Sequence, residues 1–444
     1  MVPKIVFIGA GSGFGARSFA DILSFEELRD SEIVLVDVNP ENLAPVEAYC
    51  RKVVEAYGAG TKVSTSEDWR DGVLDGADYV MTSFAQGGPA YRGVPYHYEI
   101  TIPRAYGIEQ CVADTAGIGG VFRALRCAPE LIAIGKDMES RCPGSYLLNY
   151  VNPMSMLTRT LNFACPGVTM LGLCHNIQYG IRDVARWIGC SHKELRYTAA
   201  GVNHMDWFLA IEYLDGRDAY PDLLAAAENE EIYRRRAVQF ELLKVFGYFT
   251  TESSGHCAEY LPYFLPRKED RDAVFLTPRQ TEATVDITAP RWGADSDLVQ
   301  QTDGRMPLKL DRSFEYGMHI MHALETDNVY RMNLNVINDG CIDNFTDDTC
   351  VEVCCTVDRN GVHRHRVGKM PVHLAALCHG LSDMQTLGSD AILERDLNKA
   401  LQACIIDPTT AASATPAKIK ACFNELLEAE RPWLEEEWGS ALRF

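Results

Sequence analysis

The first forty residues read as a strand, a glycine-rich turn, a helix, a second strand and an acid, in that order. The β-rich run Lys4–Ile8 leads into the turn GAGSG, and the run Glu32–Val36 leads into Asp37. Glycines in such a turn let the backbone approach a pyrophosphate at the N-terminus of the helix that follows. Asp37 stands where a carboxylate accepts hydrogen bonds from both ribose hydroxyls, which favours NAD over NADP. The residues that this pattern assigns to cofactor binding are Gly9, Gly11, Ser12, Gly13 and Asp37.

The pattern predicts an α/β chain with a Rossmann-like, doubly wound N-terminal domain. It departs from the usual spacing at Gly15, which does not occupy the last glycine position. Beyond residue 200 the pattern changes to α+β, with helices predicted at 228–246 and at 416–430, where Pro432 is expected to stop or kink the second. We therefore predict a domain at 1–195 and a closely packed α+β domain at 196–444 that carries substrate, metal and oligomer contacts.

Polar side chains follow two apolar runs that have the length of buried parallel strands. Residues 146–148 lead into Asn149, residues 168–173 lead into Cys174, and His204 follows about thirty residues later. Strand C-termini line the ligand crevice of doubly wound sheets, so these polar ends should converge. Cys174 and His204 are a plausible ligand pair for a divalent transition metal. The alternative is a buried free cysteine and a hydrogen-bonded core histidine, but the clustering at strand ends favours a site.

Charge and cysteine content exclude several classes of function. The formal charge of −20 disfavours nucleic acid and a membrane surface as partners. The N-terminus lacks the features of a signal peptide, and fifteen cysteines without one indicate a reducing compartment, so we expect a cytoplasmic protein. Residues 89–113 are turn-rich and polar and contain Arg92, which suits a lid over the crevice.

The motifs together resemble glycoside hydrolase family 4, the NAD- and metal-dependent glycosidases, and are most similar to its α-galactosidase branch. The resemblance covers nearly the whole chain, and its most specific motifs are NYVNP, GLCH and GVNH in that order. Further matches are DTAGIGG at 114–120, TESSGHCAEYLPYF at 251–264 and NVINDGCIDN at 335–344.

The resemblance implies hydrolysis by redox-assisted elimination. NAD⁺ would take hydride from C3 of the sugar, a tyrosine would remove the C2 proton, the leaving group would depart, and water and hydride would then return with retention of configuration. Family 4 is an exception to the usual two-carboxylate scheme. The expected cofactors are NAD and Mn²⁺, and the expected assembly is a homodimer or homotetramer.

The resemblance also implies a role for each matching residue. Cys174 and His204 fall on the metal-ligand positions, His175 on the leaving-group acid, and Asp114 on a carboxylate that orients metal-bound water. Tyr260 is the predicted base, with Tyr263 as its competitor. The predicted contacts are Asn149, Asn203, Arg92 and Arg291 for the substrate and Asn152 for the nicotinamide ribose.

Three hypotheses stay open at this point. The first is an α-glycosidase, most similar to an α-galactosidase, and Cys-His, in place of the Cys-Asp or Cys-Asn of branches that act on phosphorylated sugars, favours an unphosphorylated glycoside. Asn176-Ile177 departs from the Ser-Val of the nearest branch beside the leaving-group position, which keeps α-galacturonidase or α-glucuronidase activity open. A simple NAD-dependent dehydrogenase and a catalytically silent NAD-binding regulator are the alternatives from other classes.

Overall fold

The computed structural model describes residues 2–87, 91–285 and 291–439. Twelve strands in this part of the chain join one mixed sheet. The strands are β1 (Lys4–Ile8), β2 (Glu32–Val36), β3 (Lys62–Ser66), β4 (Tyr79–Thr82), β5 (Tyr146–Asn149), β6 (Thr169–Gly172), β7 (Leu195–Val202), β8 (Met205–Tyr213), β9 (Phe249–Thr250), β10 (Tyr330–Ile337), β11 (Cys350–Asp358) and β12 (Gly361–Arg364). The helices are α1 (Gly13–Leu23), α2 (Pro40–Tyr57), α3 (Tyr96–Ala105), α4 (Gly117–Arg141), α5 (Met154–Ala164), α6 (Asn176–Trp187), α7 (Tyr220–Ala226), α8 (Glu230–Arg235), α9 (Ala237–Phe246), α10 (Ser254–Glu259), α11 (Lys268–Ala273), α12 (Asp297–Thr302), α13 (Gly317–Glu325), α14 (Val372–Glu394), α15 (Leu397–Ile406), α16 (Pro408–Ser413) and α17 (Pro416–Trp438).

The N-terminal half is a parallel sheet with the strand order β3-β2-β1-β4-β5-β6. This is the order of the doubly wound dinucleotide-binding fold. The apolar sequences KIVFI and EIVLV form its central strands because helices cover both faces and exclude water from their side chains. The predicted fold class is confirmed.

The sheet continues without interruption into the C-terminal half. Strand β10 pairs antiparallel with β6 and with β11, and β7, β8 and β9 extend the sheet beyond β11. One hydrophobic core therefore spans both halves, and the domain boundary at 195/196 stays a prediction. No helix in the described ranges combines the length and the apolar composition needed to cross a bilayer.

Three element predictions need correction. The segment 228–246 is two helices, α8 and α9, because the backbone of Arg236 leaves the helical region (φ −140°, ψ 40°). The predicted lid contains a helix, α3, and residues 89–90 at its start lie outside the described part of the chain. Helix α17 continues through Pro432 to Trp438. A proline inside a helix costs about 3 kcal/mol, and burial of Leu434 and Trp438 beyond it offsets that cost.

Candidate active site

The glycine turn between β1 and α1 has the shape that a dinucleotide requires. Gly9 has φ +89°, and a Cβ there would lie 2.1 Å from the carbonyl oxygen of Ser83. A Cβ on Gly15 would lie 2.2 Å from the carbonyl oxygen of Ala10. Gly15 therefore provides the close helix–turn contact that the third glycine of the fingerprint normally supplies, despite its shifted position. Ser12 caps α1 by accepting a hydrogen bond from the Gly15 N–H at 3.2 Å.

Asp37 lies directly after β2 and faces the turn. Its Oδ2 accepts a hydrogen bond from the Gly11 N–H at 2.8 Å, and its Oδ1 accepts one from the Asn39 N–H at 3.0 Å. This contact needs a residue without a side chain at Gly11, since a Cβ there would lie 2.7 Å from the Asp37 carboxylate. The turn, the helix N-terminus and the carboxylate fit a dinucleotide with a free ribose 2′-hydroxyl.

Cys174 and His204 meet beyond the carboxyl end of β6. Cys174 follows β6, His204 lies between β7 and β8, and the Cys174 Sγ is 3.1 Å from the His204 Nδ1. The backbone of Cys174 is fixed by Tyr316, whose hydroxyl accepts from its N–H at 2.8 Å and donates to its carbonyl at 2.7 Å. The two donor atoms are thus held side by side.

The two donors suit a divalent ion. Burial lowers the pKa of His204 to about 4, so its imidazole is neutral and can act as a ligand. Burial raises the pKa of the Cys174 thiol well above its ordinary value, and a cation is what would favour the thiolate there. Among the described residues no group of three or more His, Cys, Asp or Glu side chains is arranged to hold a metal. Substrate oxygens and water would therefore complete the coordination, as in open catalytic sites.

Asp114 is the centre of a buried hydrogen-bond network beside this pair. Its Oδ2 accepts from the Tyr91 hydroxyl and from the Asn152 Nδ2, both at 2.8 Å. Its Oδ1 accepts from Thr115 at 2.8 Å and lies 3.7 Å from the His256 Nε2. The Asn152 Oδ1 is buried with no hydrogen-bond partner in the described residues, and so remains available to a cofactor ribose.

His256 connects Asp114 to the metal-ligand pair. Its Nδ1 lies 2.9 Å from the Ser253 hydroxyl and 3.5 Å from the Glu252 Oε2, and its ring centre is 5.4 Å from that of His204. Burial alone would lower the pKa of His256, but Glu252 and Asp114 raise it to about 9. Burial alone would raise the pKa of Asp114, but His256 holds it well below its ordinary value. A buried charged pair therefore lies next to the metal ligands.

The two candidate bases lie in different surroundings. Tyr260 is fully buried, and its hydroxyl makes no hydrogen bond of normal geometry although the Thr115 side chain is close. Burial and the nearby Asp114 raise the pKa of Tyr260 well above 10. Tyr263 is 44% exposed. Beside Tyr260, the Glu259 carboxylate accepts from three consecutive backbone N–H groups, those of residues 111–113.

His175 is exposed at the mouth of the site. Half of its side-chain surface is accessible, and its Nδ1 lies 3.1 Å from the Glu315 Oε1. Burial of part of the ring would lower the pKa of His175, but pairing with Glu315 raises it above its ordinary value. An accessible imidazole whose protonated form is favoured by a neighbouring carboxylate is suited to act as a general acid.

The asparagines predicted to bind sugar are buried. The Asn149 amide makes hydrogen bonds within the chain. Its Oδ1 accepts from the Thr82 hydroxyl and from the Val151 N–H, and its Nδ2 donates to the Val151 carbonyl. These bonds stabilise the turn after β5, and a contact of Asn149 with a sugar hydroxyl stays a prediction. Asn203 donates to Glu352 at 2.8 Å and keeps an unpartnered buried Oδ1.

Asn176 does not face the leaving-group position as expected. It is buried, and its Nδ2 donates to Asp206 at 2.8 Å and to Thr251 at 3.0 Å. The Asn176 side chain, which differs from the serine expected in the nearest branch, is thus buried inside the protein.

The two arginines predicted to contact substrate are not joined to the rest of the site. Arg92 is exposed, with no hydrogen bond or ion pair to another predicted site side chain in the described ranges. Arg291 is also exposed, and its backbone N–H donates to the Asn42 Oδ1 at 2.9 Å, on the side of the glycine turn. Trp292 follows it and packs near Gly13. The geometry therefore associates Arg291 with the dinucleotide side of the crevice.

Family comparisons agree with this geometry over most of the chain. The model of the family 4 glycosyl hydrolases matches residues 4–189, and that of the family 4 glycosyl hydrolase C-terminal domain matches residues 199–410. The chain belongs to glycosyl hydrolase family 4. This makes it a glycosidase and excludes a simple 2-hydroxyacid dehydrogenase.

Relatives in family 4 span the full chain. It is 34% identical to an α-galactosidase of Bacillus subtilis, covering 98% of this chain and 100% of that one. It is 33% identical to an α-galactosidase of Rhizobium meliloti, covering 98% of this chain and 89% of that one. A 6-phospho-β-glucosidase of Thermotoga maritima, solved with manganese, NAD⁺ and glucose-6-phosphate, has the same fold, with a TM-score of 0.76 at 21% identity and coverage of 97% and 99%.

Several side chains of this family 4 site could not be found from the sequence. Glu315 and Tyr316 lie more than 130 residues from the Cys174-His175 pair that they hold, in a segment with no motif of its own. Glu252 and His256 could have been suspected from the sequence, because the segment around Tyr260 is unusually polar for a buried aromatic run. Tyr91 lies in the predicted lid, and only its hydrogen bond to Asp114 reveals its part in the site.

Proposed function

We propose that the protein hydrolyses unphosphorylated α-galactosides by an NAD- and divalent-metal-dependent elimination with retention of configuration. The observation that carries this proposal is the meeting of Cys174 Sγ and His204 Nδ1 at 3.1 Å, beside an accessible His175. The names of the two full-length relatives at 33–34% identity support the substrate.

The two cofactors would supply the redox and Lewis-acid chemistry. Bound NAD⁺ would supply reversible hydride transfer, and a bound divalent ion would supply Lewis-acid polarisation of sugar oxygens. The manganese and NAD⁺ in the solved Thermotoga enzyme support this assignment. Cys174 and His204 would hold the ion. The residues that would hold NAD⁺ are Gly9, Gly11, Ser12, Gly13, Asp37 and Asn152.

Tyr260 would remove the C2 proton. Its hydroxyl has no hydrogen-bond partner in the described residues and lies close enough to Asp114 to feel its charge, whereas Tyr263 is exposed. A general base must first lie within hydrogen-bond distance of the proton that it removes, and a matched pKa matters only after that. Burial and three nearby carboxylates, Asp114, Glu259 and Glu252, raise the pKa of Tyr260 in the protein alone, and positive charge in the site would lower it.

His175 would protonate the departing glycosidic oxygen. Glu315 raises the pKa of His175, which favours the protonated imidazole, and it fixes the ring's direction from Nδ1 so that Nε2 points away from this pair. After departure, the neutral imidazole can take a proton from the water that adds at C1. The same residue thus acts as acid and then as base.

The test is a panel of nitrophenyl α-glycosides and α-uronides with the purified protein, NAD⁺, Mn²⁺ and a thiol. We expect the α-galactoside to be hydrolysed fastest and chelation of the metal to abolish turnover. Preference for a uronide would assign the chain to galacturonidase or glucuronidase activity instead, and no turnover on any glycoside would contradict the proposal. A homodimer or homotetramer is also proposed, to be measured by light scattering.

A further inference from the structure

Two exposed aromatic rings lie next to His175. The Tyr179 ring stands perpendicular to the His175 ring with centres 5.0 Å apart, and Phe314 stands perpendicular to Tyr179 at 5.9 Å. Tyr179 is 44% exposed and Phe314 is 45% exposed. We call Tyr179 and Phe314 the aromatic platform.

The platform is built into the site by three consecutive residues. Tyr316 holds the backbone of Cys174, Glu315 pairs with His175, and Phe314 extends the surface to Tyr179. The platform is therefore fixed relative to the metal ligand and the proposed acid. Exposed rings fixed in this way beside a reacting group have a binding role more often than isolated surface rings do.

An arginine without a carboxylate partner completes the platform. The Arg182 guanidinium carbon lies 3.7 Å from the centre of the Phe314 ring. In the described part of the chain Arg182 makes no ion pair, and burial lowers its pKa. Its N–H donors are thus held on the platform with capacity to bind oxygen acceptors.

We propose that the aromatic platform and Arg182 form the subsite for the leaving group, and that this subsite takes a hexose-sized sugar ring. The inference rests on the proposed function, because it takes His175 as the acid that protonates the glycosidic oxygen. A leaving group attached to that oxygen must lie on the solvent side of His175, where the platform is. A sugar ring offers C–H groups to the aromatic faces and hydroxyl oxygens to the guanidinium.

The experiment compares two α-galactosides that differ only in the leaving group. One is the disaccharide galactosyl-α-1,6-glucose, and the other is methyl α-galactoside. In Tyr179→Ala and Phe314→Leu, kcat/KM for the disaccharide should fall about tenfold further than kcat/KM for the methyl glycoside, mainly through KM, as expected for loss of one aromatic contact. Arg182→Met should show the same selectivity.

Phe163→Ala is the matched control. Phe163 is 48% exposed and carries Arg159 over its ring at 4.9 Å, but it lies at the far end of α5. It should not change the ratio of the two kcat/KM values. Equal losses on both substrates in the platform variants, or no loss, would overturn the subsite. Failure of the unmodified enzyme to hydrolyse either α-galactoside would instead refute the proposed function.

Discussion

At the scale of single residues, Tyr260 and Tyr263 are three positions apart but differ in burial, and this separates them as bases. Tyr260→Phe removes the hydroxyl and keeps the buried ring, so folding and NAD⁺ binding should survive. Turnover should fall about 10²–10⁴-fold, the usual contribution of a general base. Tyr263→Phe, at a 44% exposed position, is the control and should keep nearly full activity. A loss under tenfold in Tyr260→Phe with a large loss in Tyr263→Phe would reverse the assignment.

Cys174 gives a second residue-scale prediction. Cys174→Ser replaces a thiolate with a hydroxyl that stays protonated, so Mn²⁺ binding should weaken strongly, as seen by the paramagnetic resonance of free Mn²⁺. NAD⁺ binding should change little, because the glycine turn and Asp37 lie on other strands. Unchanged Mn²⁺ affinity in this variant would remove Cys174 from the metal site.

The site was predictable from the sequence where strand ends supply the side chains. Cys174 follows the buried parallel strand β6, whose carboxyl end lines the crevice, so its place in the site could be foreseen. His204 lies in the turn between the antiparallel strands β7 and β8, so its meeting with Cys174 depends on how that hairpin packs. Asn149 also follows a strand, but a short amide there can bond its own turn, and pattern alone does not distinguish the two uses. Glu315 could not be foreseen, because only the packing of α13 against the sheet brings its segment to His175.

At the scale of elements, the contact between the glycine turn and α1 depends on one missing Cβ. In Gly15→Ala the new methyl would lie 2.2 Å from a backbone carbonyl, which cannot move without displacing the turn. We expect a loss of about 1–3 kcal/mol in the free energy of unfolding and weaker NAD⁺ binding.

Gly13→Ala is the control for this change in the same helix. Its Cβ would meet only the Trp292 ring, at 3.4 Å. Thermal unfolding of the cofactor-free protein should be close to normal in Gly13→Ala and clearly lowered in Gly15→Ala. Equal unfolding temperatures would contradict the role given to Gly15.

The parallel strands were the most predictable elements, because their buried apolar runs are continuous and bounded by turns. Helix ends were less predictable. Local preference would end α17 at Pro432, but the Trp438 side chain is buried and its Nε1 donates to the Leu125 carbonyl at 3.1 Å. The contact with α4, about three hundred residues earlier in the chain, therefore accounts for the continuation of α17 past Pro432.

At the scale of the whole molecule, a buried ion-pair cluster joins α17 to the N-terminal half. Arg126 on α4 pairs with Glu99 on α3 and, at 2.9 Å, with Glu430 on α17. Glu430→Ala leaves Glu99 as the carboxylate partner of this buried guanidinium and removes one buried hydrogen bond, which should cost about 1–3 kcal/mol in the free energy of unfolding.

Glu428→Ala tests whether this cost is specific to the buried cluster. Glu428 pairs with Arg431 on the exposed face of the same helix at 2.6 Å. Loss of such a surface pair should cost under about 1 kcal/mol. Similar unfolding temperatures for the two variants would show that the cluster does not hold the halves together.

The proposed elimination is tested most directly by hydrolysis of an α-galactoside in D₂O, with deuterium at C2 of the released galactose measured by NMR. Removal of the C2 proton by Tyr260 and its replacement from solvent predict deuterium at C2. Direct displacement with two carboxylates never breaks that C–H bond. Normal turnover with C2 fully protiated would contradict the proposed mechanism.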